Sequence, residues 1–419
     1  MLKPVYSVQV RKLDEFGNPT DLLNFHNIIS LSIQKQGDAI ARTATIELPN
    51  TDYVHLLHSK QLLRPYDLVK IELGYANALS DDGRTFQEQK KTVFAGYIES
   101  IDMPFGISGQ TLTLNLKSLE GMLTFKRISG SFSGSVADIV RQIIQQENVG
   151  MSHLVRTDKF LNPNDPDWYY FDLIDEELKQ SDRSGLGIIL QNVTFKNERV
   201  FDALKQVASR GGFHRVEIIW DDETTSFQLV LRNVDRYQMN EIPKFEISEN
   251  IISHSLKISV DRMFNVIKLN YKAPKDAKKL NQQSSGMATK GSQVVERNEI
   301  SIQKYGERTR EVDITWPLSK EELQRYAQIL LRIYGNLSLD HEFETIGDIR
   351  LDIDVGARII LKSKWGVKYG SQGKFDSYIR IDNVTHNLSS QGFRTSVSGK
   401  VTSTKTLEEM ITFEDVTVI

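Results

Sequence analysis

Residues 92–123 read TVFAGYIESIDMPFGISGQTLTLNLKSLEGML. A strand from Val93 to Ile101 leads into a Gly/Ser turn at Gly106–Gly109. A second strand then alternates, with Leu112, Leu114 and Leu116 on one face and Thr111, Thr113 and Asn115 on the other. Period-two alternation over this length reads as a half-buried antiparallel strand. The arrangement returns in residues 377–401, SYIRIDNVTHNLSSQGFRTSVSGKV. There Ile381 and Val384 repeat the spacing of Ile98 and Ile101, and a polar turn at Ser389–Gly392 precedes alternating Phe393, Thr395 and Val397. Upstream of the first hairpin stand ISLSIQ (from Ile29), ATIEL (from Ala44) and DLVKIEL (from Asp67). Upstream of the second stand ISHSLKI (from Ile252), NVIKL (from Asn265) and VGARIIL (from Val355). Matching order predicts two copies of one small β-domain in a single chain; a chance match of alternating strands is the competing reading.

A chain of 419 residues is long enough for several domains with real cores. With 26% charged and 39% apolar residues it has the balance of an ordinary globular protein. A net charge of −3 gives no bulk attraction to nucleic acid or anionic lipid. The absence of cysteine excludes thiol catalysis, disulfides and thiolate metal sites. The N-terminal MLKPVYSVQV enters an alternating strand and lacks the basic and apolar regions of a signal peptide. No apolar run approaches the roughly 20 residues of a membrane helix.

Residues 1–128 read as a first β-barrel domain. Tyr6, Val8 and Val10 alternate, as do Ile29, Leu31 and Ile33, Ala44, Ile46 and Leu48, and Val69, Ile71 and Leu73. Turn residues separate these runs. The polar stretch Asn77–Lys91 reads as a long exposed loop. At Ser135 the period changes. Ser135-x-x-Asp138 is a capping-box variant, and Val136, Ile139, Val140, Ile143 and Ile144 fall on one helical stripe. A second helix is predicted from about Asn197, with Val200, Phe201, Leu204, Val207 and Ala208 on one side and Gly211-Gly212 as its stop. Residues 129–250 thus form an inserted α+β domain.

Residues 251–405 make a second β-barrel domain. It includes a Lys/Gln/Ser/Gly-rich segment, 273–293, whose composition predicts a mobile loop. It also includes a packing helix over 319–335, with Leu323, Tyr326, Ala327, Leu330, Leu331 and Tyr334 as its apolar stripe. Residues 406–419 read as an acidic-apolar tail. The predicted class is α+β, mainly β: two similar small β-barrel domains, an inserted α+β region and a packing helix.

The search for chemistry is mostly negative. No phosphate-binding glycine loop, nucleophile elbow or zinc-protease helix is present. Asp340-His341-Glu342 and His386 are conceivable metal ligands, but isolated histidines in strands and turns are more often structural. Carboxylates crowd Asp165–Asp182, where a glycosidase pair or a solvated surface loop is the choice. Trp168-Tyr-Tyr-Phe171 admits three readings: sugar stacking, a partner anchor or core packing. The reading therefore assigns no catalytic residue, no metal site and no cofactor.

Several stretches, in order, resemble the baseplate hub proteins of phage tails, a group that includes late-control D proteins, the hubs of contractile injection systems and the N-terminal part of type VI secretion spike proteins. VFAGYIESI resembles the strand after the family's first long loop. SVADIVRQIIQQENVG and RVFDALKQVASRGGF resemble its two outer helices. DRMFNVIKLNY, SIQKYGERT and ELQRYAQILLRIYG resemble the entry to its second barrel, and DVGARIIL and YIRIDNVTHNLSSQGFRTSV its closing strands. The resemblance implies a homotrimer whose six barrels form a ring between a hexameric tail tube and a trimeric central spike. It implies as partners the tail tube protein, the central spike, the tape measure protein and baseplate wedge proteins. DNA passes through transiently without sequence recognition, no membrane is entered, and the protein acts in the virion tail baseplate after assembly in host cytoplasm. Alternation assigns Thr111, Thr113, Asn115, Arg394, Ser396 and Ser398 to the channel-facing side. Two rival classes remain: a tail-tip receptor- or glycan-binding protein and a cell-wall-degrading tail enzyme.

Overall fold

The computed structural model describes residues 3–13, 19–37, 39–49, 63–79, 86–102, 111–146, 171–172, 189–210, 215–221, 226–232, 244–246, 251–261, 263–272, 291–314, 320–335, 338–346, 358–363, 375–390 and 392–401. The first part contains β1 (Lys3–Leu13), β2 (Pro19–Phe25), β3 (Ser30–Gln36), β4 (Thr43–Pro49), β5 (Leu68–Leu79), β6 (Phe86–Asp102), β7 (Thr111–Lys117) and the short α1 (Glu120–Leu123). An α+β region follows: β8 (Arg127–Ser135), α2 (Val136–Gln145), β9 (Phe171–Asp172), β10 (Ile189–Arg199), α3 (Val200–Arg210), β11 (Arg215–Asp221) and β12 (Ser226–Arg232). The last part runs through β13 (Lys244–Glu246), β14 (Ile251–Ser259), β15 (Val266–Tyr271), β16 (Gln293–Arg297), α4 (Glu299–Tyr305), β17 (Thr309–Ile314) and α5 (Lys320–Tyr334). It closes with β18 (Ser338–Ile346), β19 (Arg358–Ser363), β20 (Phe375–Ser389) and β21 (Gly392–Val401). The class is α+β, mainly β. Among the described residues no helix is long and apolar enough to cross a membrane.

The two β units repeat one strand order. In the first it is β3-β4-β7-β6-β5, and in the second β14-β18-β21-β20-β19. The correspondence holds residue by residue. The β6–β7 ladder is bulged between Ile98 and Ser100, and the β20–β21 ladder between Ile381 and Asn383. Such a bulge adds one unpaired residue and sharpens the local twist, so the shared Ile-x-x-Ile/Val spacing records a shared backbone irregularity. Near each bulge, at positions that do not correspond in register, the backbones approach too closely for a side chain. A Cβ on Gly96 would lie 2.1 Å from the Lys117 carbonyl oxygen, and one on Gly399 2.3 Å from that of Arg380.

The units are joined. β3 pairs antiparallel with β20, from Asn383↔Gln36 to Leu388↔Leu31, so both lie in one continuous sheet. They also share a core. Leu31, Ile33, Ile46, Leu114 and Leu116 of the first unit cluster with Phe343, Ile381, Val384 and Val397 of the second. Val8, Val10, Val69 and Ile71 from β1 and β5 belong to the same cluster, so the sheet curls until its apolar faces meet.

Three sequence expectations need correction, and one strand, β8, is not anticipated by the sequence reading. NVIKL is not the counterpart of ATIEL: it is β15, in a separate sheet of order β16-β15-β17, while β18 occupies the position of β4. Asn77–Lys91 is not a loop at its described ends, because β5 runs to Leu79 and β6 starts at Phe86, pairing Leu79↔Phe86. Strand arms that extend a hairpin need no apolar alternation, which hid them. β8 was missed because RISGSFSGS is glycine- and serine-rich; it pairs with β10. Asn197 lies in β10, and α3 starts only at Val200.

The inserted region packs α2 and α3 through the predicted stripes: Val136, Ile139, Val140, Ile143, Val200, Leu204 and Val207 are all buried, with Leu68 and Tyr97 of the first unit in the same core. Arg42 reaches Glu217 of β11 at 3.1 Å, and Ile218 N–H donates to Glu120 Oε1 at 2.7 Å, tying the insertion to the first unit. α5 lays Leu323 and Ala327 into the core of the β15–β17 sheet with Ile267, Leu269 and Ile314. Ser319, the predicted cap of this helix, and most of the 273–293 segment lie outside the described residues, as does the 406–419 tail.

The first capping box forms as predicted. Ser135 Oγ accepts from Asp138 N–H at 3.1 Å, and Asp138 Oδ2 accepts from Ser135 N–H at 3.2 Å. The hydrogen bonds with Ser135 hold the Asp138 carboxyl below its ordinary range. Ser135→Ala is expected to lower stability by about 1 kcal/mol. Urea unfolding checks this, and an unchanged midpoint would show that the cap contributes nothing.

Candidate functional site

Alternation within the continuous sheet sorts its side chains onto two faces. On the core side Leu112, Leu114 and Leu116 are buried, and so are their counterparts Thr395, Val397 and Gly399. On the other side Thr111, Thr113, Asn115, Arg394, Ser396 and Ser398 are all half-buried. The six residues singled out from the sequence thus share one face. Their equivalence is also observed: in register, Thr111 corresponds to Arg394, Thr113 to Ser396 and Asn115 to Ser398.

The chemistry of this face is repeated as well. Asn115 Nδ2 donates to Ser100 Oγ at 3.0 Å across β6–β7. At the equivalent place Asn383 Nδ2 donates to Ser398 Oγ at 2.8 Å, with the two residue types exchanged between strands. Lys117 pairs with Glu99, and the equivalent Lys400 with Asp382 at 3.8 Å. Arg394 lies 3.4 Å from Glu344. Around these stand Ser30, Ser32 and Gln34 of β3, Thr43, Thr45 and Glu47 of β4, Asp340 and Glu342 of β18, and Thr385 and Asn387 of β20, placed on the same side by their registers. Among the described residues of this face neutral hydrogen-bonding groups are frequent; Lys117, Arg394 and Lys400 each face a carboxylate, and Lys257 of β14, opposite Asp340 in register, is exposed.

Sequence reasoning missed the acidic residues of β18. The signal was there: in SLDHEFETI, Asp340, Glu342 and Glu344 alternate with Leu339, His341 and Phe343. The sequence reading takes only Asp340 and Glu342, with His341, as conceivable metal ligands, and does not read the run as a strand.

The histidines have structural partners. His386 is fully buried, its Nδ1 3.0 Å from Thr395 Oγ1. His341 is 1% exposed, and its Nδ1 lies 2.9 Å from His254 Nε2 of β14. Burial, reinforced by charge repulsion from His254, pushes the His341 imidazole down to about 4, against an opposing pull from Asp340. Burial also lowers His254. Among the described residues no three His, Asp or Glu side chains group to hold a metal ion. Of Trp168–Phe171, only Phe171 lies within the described residues, in β9, which pairs parallel with β12.

A fold with two like β units, an α+β insertion and a polar sheet face can be compared with solved structures. A tail protein from Neisseria meningitidis MC58 superposes with a TM-score of 0.58 at 13% identity, over 95% of this chain and 96% of that one. The 43 kDa tail protein of prophage MuSo2 from Shewanella oneidensis superposes with a TM-score of 0.56 at 11% identity, over 95% and 98%. The fold is that of phage tail proteins. A chain of the Francisella PdpA-VgrG complex shares the tail-protein fold at a TM-score of 0.51 and 10% identity, over 96% of this chain and 53% of that one. No protein-family model and no curated protein sequence matches the chain. The likeness of fold is thus found at 10–13% sequence identity.

Proposed function

We propose that this protein is the structural hub of a phage tail baseplate, or of a phage-like injection system. The observation that carries this reading is the internal repeat: two like β units in one chain, fused edge to edge, with one shared polar face. Three such chains present six like units, which is the geometry needed to match a sixfold tail tube on one side and a threefold central spike on the other. Residues Thr111, Thr113, Asn115, Arg394, Ser396 and Ser398 then face the channel, where paired charges and small hydroxyls let the tape measure protein and DNA slide past. The insertion and the β15–β17 sheet with α5 lie outward, where baseplate wedge proteins bind. The protein is not an enzyme in this reading and works in the virion tail, assembled in the host cytoplasm. The three blocks of the chain, 1–128, 129–250 and 251–405, serve as first ring unit, outer domain and second ring unit.

The expected result for the purified chain is a species of three times the single-chain mass by native mass spectrometry, and a ring with a central opening by negative-stain imaging. A monodisperse monomer at tens of micromolar, or a particle without an opening, would sink the reading.

A further inference from the structure

Where the inserted region meets the first β unit, one strongly buried acid has no part in the polar sheet face. Glu120, on α1, is 2% exposed. One of its oxygens is used: Oε1 accepts from the Ile218 N–H of β11 at 2.7 Å. The other, Oε2, is buried without a hydrogen-bond partner among the described residues. The Tyr97 hydroxyl of β6 is in the same condition. It lies against the next residue of α1, since a Cβ on Gly121 would be 2.7 Å from the phenol oxygen.

Among the described residues the cations around this acid are engaged with other carboxylates. Arg42 attracts Glu120, but its guanidinium donates to Glu217 of β11 at 3.1 Å. β11 therefore brings a second carboxylate, itself 2% exposed, next to the residue that Glu120 holds. From β7 and its end come Lys117, whose ammonium pairs with Glu99, and Ser118, which hydrogen-bonds to Glu120. α3 packs on α1 with Ala203, Leu204 and Val207 in the shared core, while its Asp202, Lys205 and Arg210 are half-buried or exposed. A buried carboxylate with an oxygen that nothing donates to is costly, whereas the neutral acid carries no charge and its own O–H can donate. Burial accordingly raises the Glu120 carboxyl, against pulls from Arg42, Ser118 and the Ile218 N–H. Tyr97 is not the group that titrates: burial first, then Glu99, Tyr66 and Glu120, push its phenol up to about 12.

We propose that Glu120 is a proton-operated latch: as the neutral acid it clamps β11 to the first β unit, and loss of its proton to solvent at higher pH loosens the inserted region. When the joint opens, Glu120 meets water and returns to the ordinary 4.5, so the open form gives up its proton first. From 4.5 up to the raised value of the closed form, each step in pH therefore favours opening. The latch is tightest below that window and loosest above it. It is a property of the single chain and does not depend on assembly.

Two measurements on the full-length chain test the latch. Carbon-13 NMR of glutamate-labelled protein follows the side-chain carboxyls through a pH titration, and Glu120 is expected to titrate above the ordinary 4.5. Hydrogen exchange read by mass spectrometry, corrected for the pH dependence of the chemical step, follows the β11 amides. Their protection is expected to fall about tenfold per pH unit from 4.5 upward and to level off at the pH where Glu120 titrates. Glu120→Gln keeps a carbonyl for the Ile218 N–H and cannot ionise, so its β11 protection should not change with pH. If that variant does not fold, the coincidence of the two pH values in the natural chain decides. Glu120 titrating at or below 4.5, β11 protection that is flat with pH in the natural chain, or the same fall in Glu120→Gln would overturn the latch.

Discussion

Leu114→Asp is expected to abolish folding. Leu114 is fully buried in the centre of β7, opposite Ile46 on β4 and Ile101 on β6, and in the core that both β units share. A carboxylate there loses the packing of the leucine and sits without a partner, a cost on the order of 5 kcal/mol. Total stabilities of roughly 5–15 kcal/mol leave little after such a loss. The measurement is soluble yield together with far-UV circular dichroism and thermal unfolding. The neighbouring position supplies the control. Thr113 lies on the polar face between Glu47 and Asp102. From alternation alone Thr113→Asp reads as harmless, but the structure puts it between two carboxylates, where like charges cost a few tenths to about 1 kcal/mol. Thr113→Lys is the tolerated substitution. If Leu114→Asp folds normally while Thr113→Lys does not, the register is slipped by one residue and the two faces are exchanged.

Acid should destabilise the protein through the His254–His341 pair. Folding lowers the His341 value to about 4 from an ordinary 6.5. Between those values the unfolded chain binds a proton that the folded chain refuses. Stability is therefore complete above about pH 6.5 and falls as the pH drops towards 4. The displacement corresponds to about 3 kcal/mol at most, and the lowered His254 acts in the same direction. Burial raises the Asp67 and Glu120 carboxyls, which take up protons on folding and oppose the trend. His341→Phe isolates the histidine contribution: the gap in unfolding midpoint between pH 7.5 and pH 5 should shrink relative to the natural chain. An unchanged gap, or an NMR titration of His341 near 6.5, would refute the assignment.

Part of one polar sheet face was legible in the sequence. Thr111, Thr113, Asn115, Arg394, Ser396 and Ser398 lie on one face because alternation in a strand is dictated by backbone geometry, and the two hairpins keep it without interruption. The rest of that face was not legible. Asp340, Glu342 and Glu344 enter it only because β18 pairs with β21, and Ser32 only because β3 pairs with both β4 and β20.

Local physics determined a good deal from sequence alone: the apolar periods of two and 3.6, the Ser135–Asp138 cap, the stripes of α2, α3 and α5, and the repeated spacing that marks a bulge at Ile98 and Ile381. Each rests on residues a few positions apart, whose side chains and backbone groups meet within one element. Only the tertiary structure decided that β18, not β15, completes the second unit, that glycine-rich β8 is a strand, and that Ser32 meets Asn387, their side chains 2.9 Å apart across 355 residues of chain. Alternation records that a strand has one buried face. It does not record which strand lies beside it, because edge-to-edge pairing is made by backbone groups that every residue carries alike.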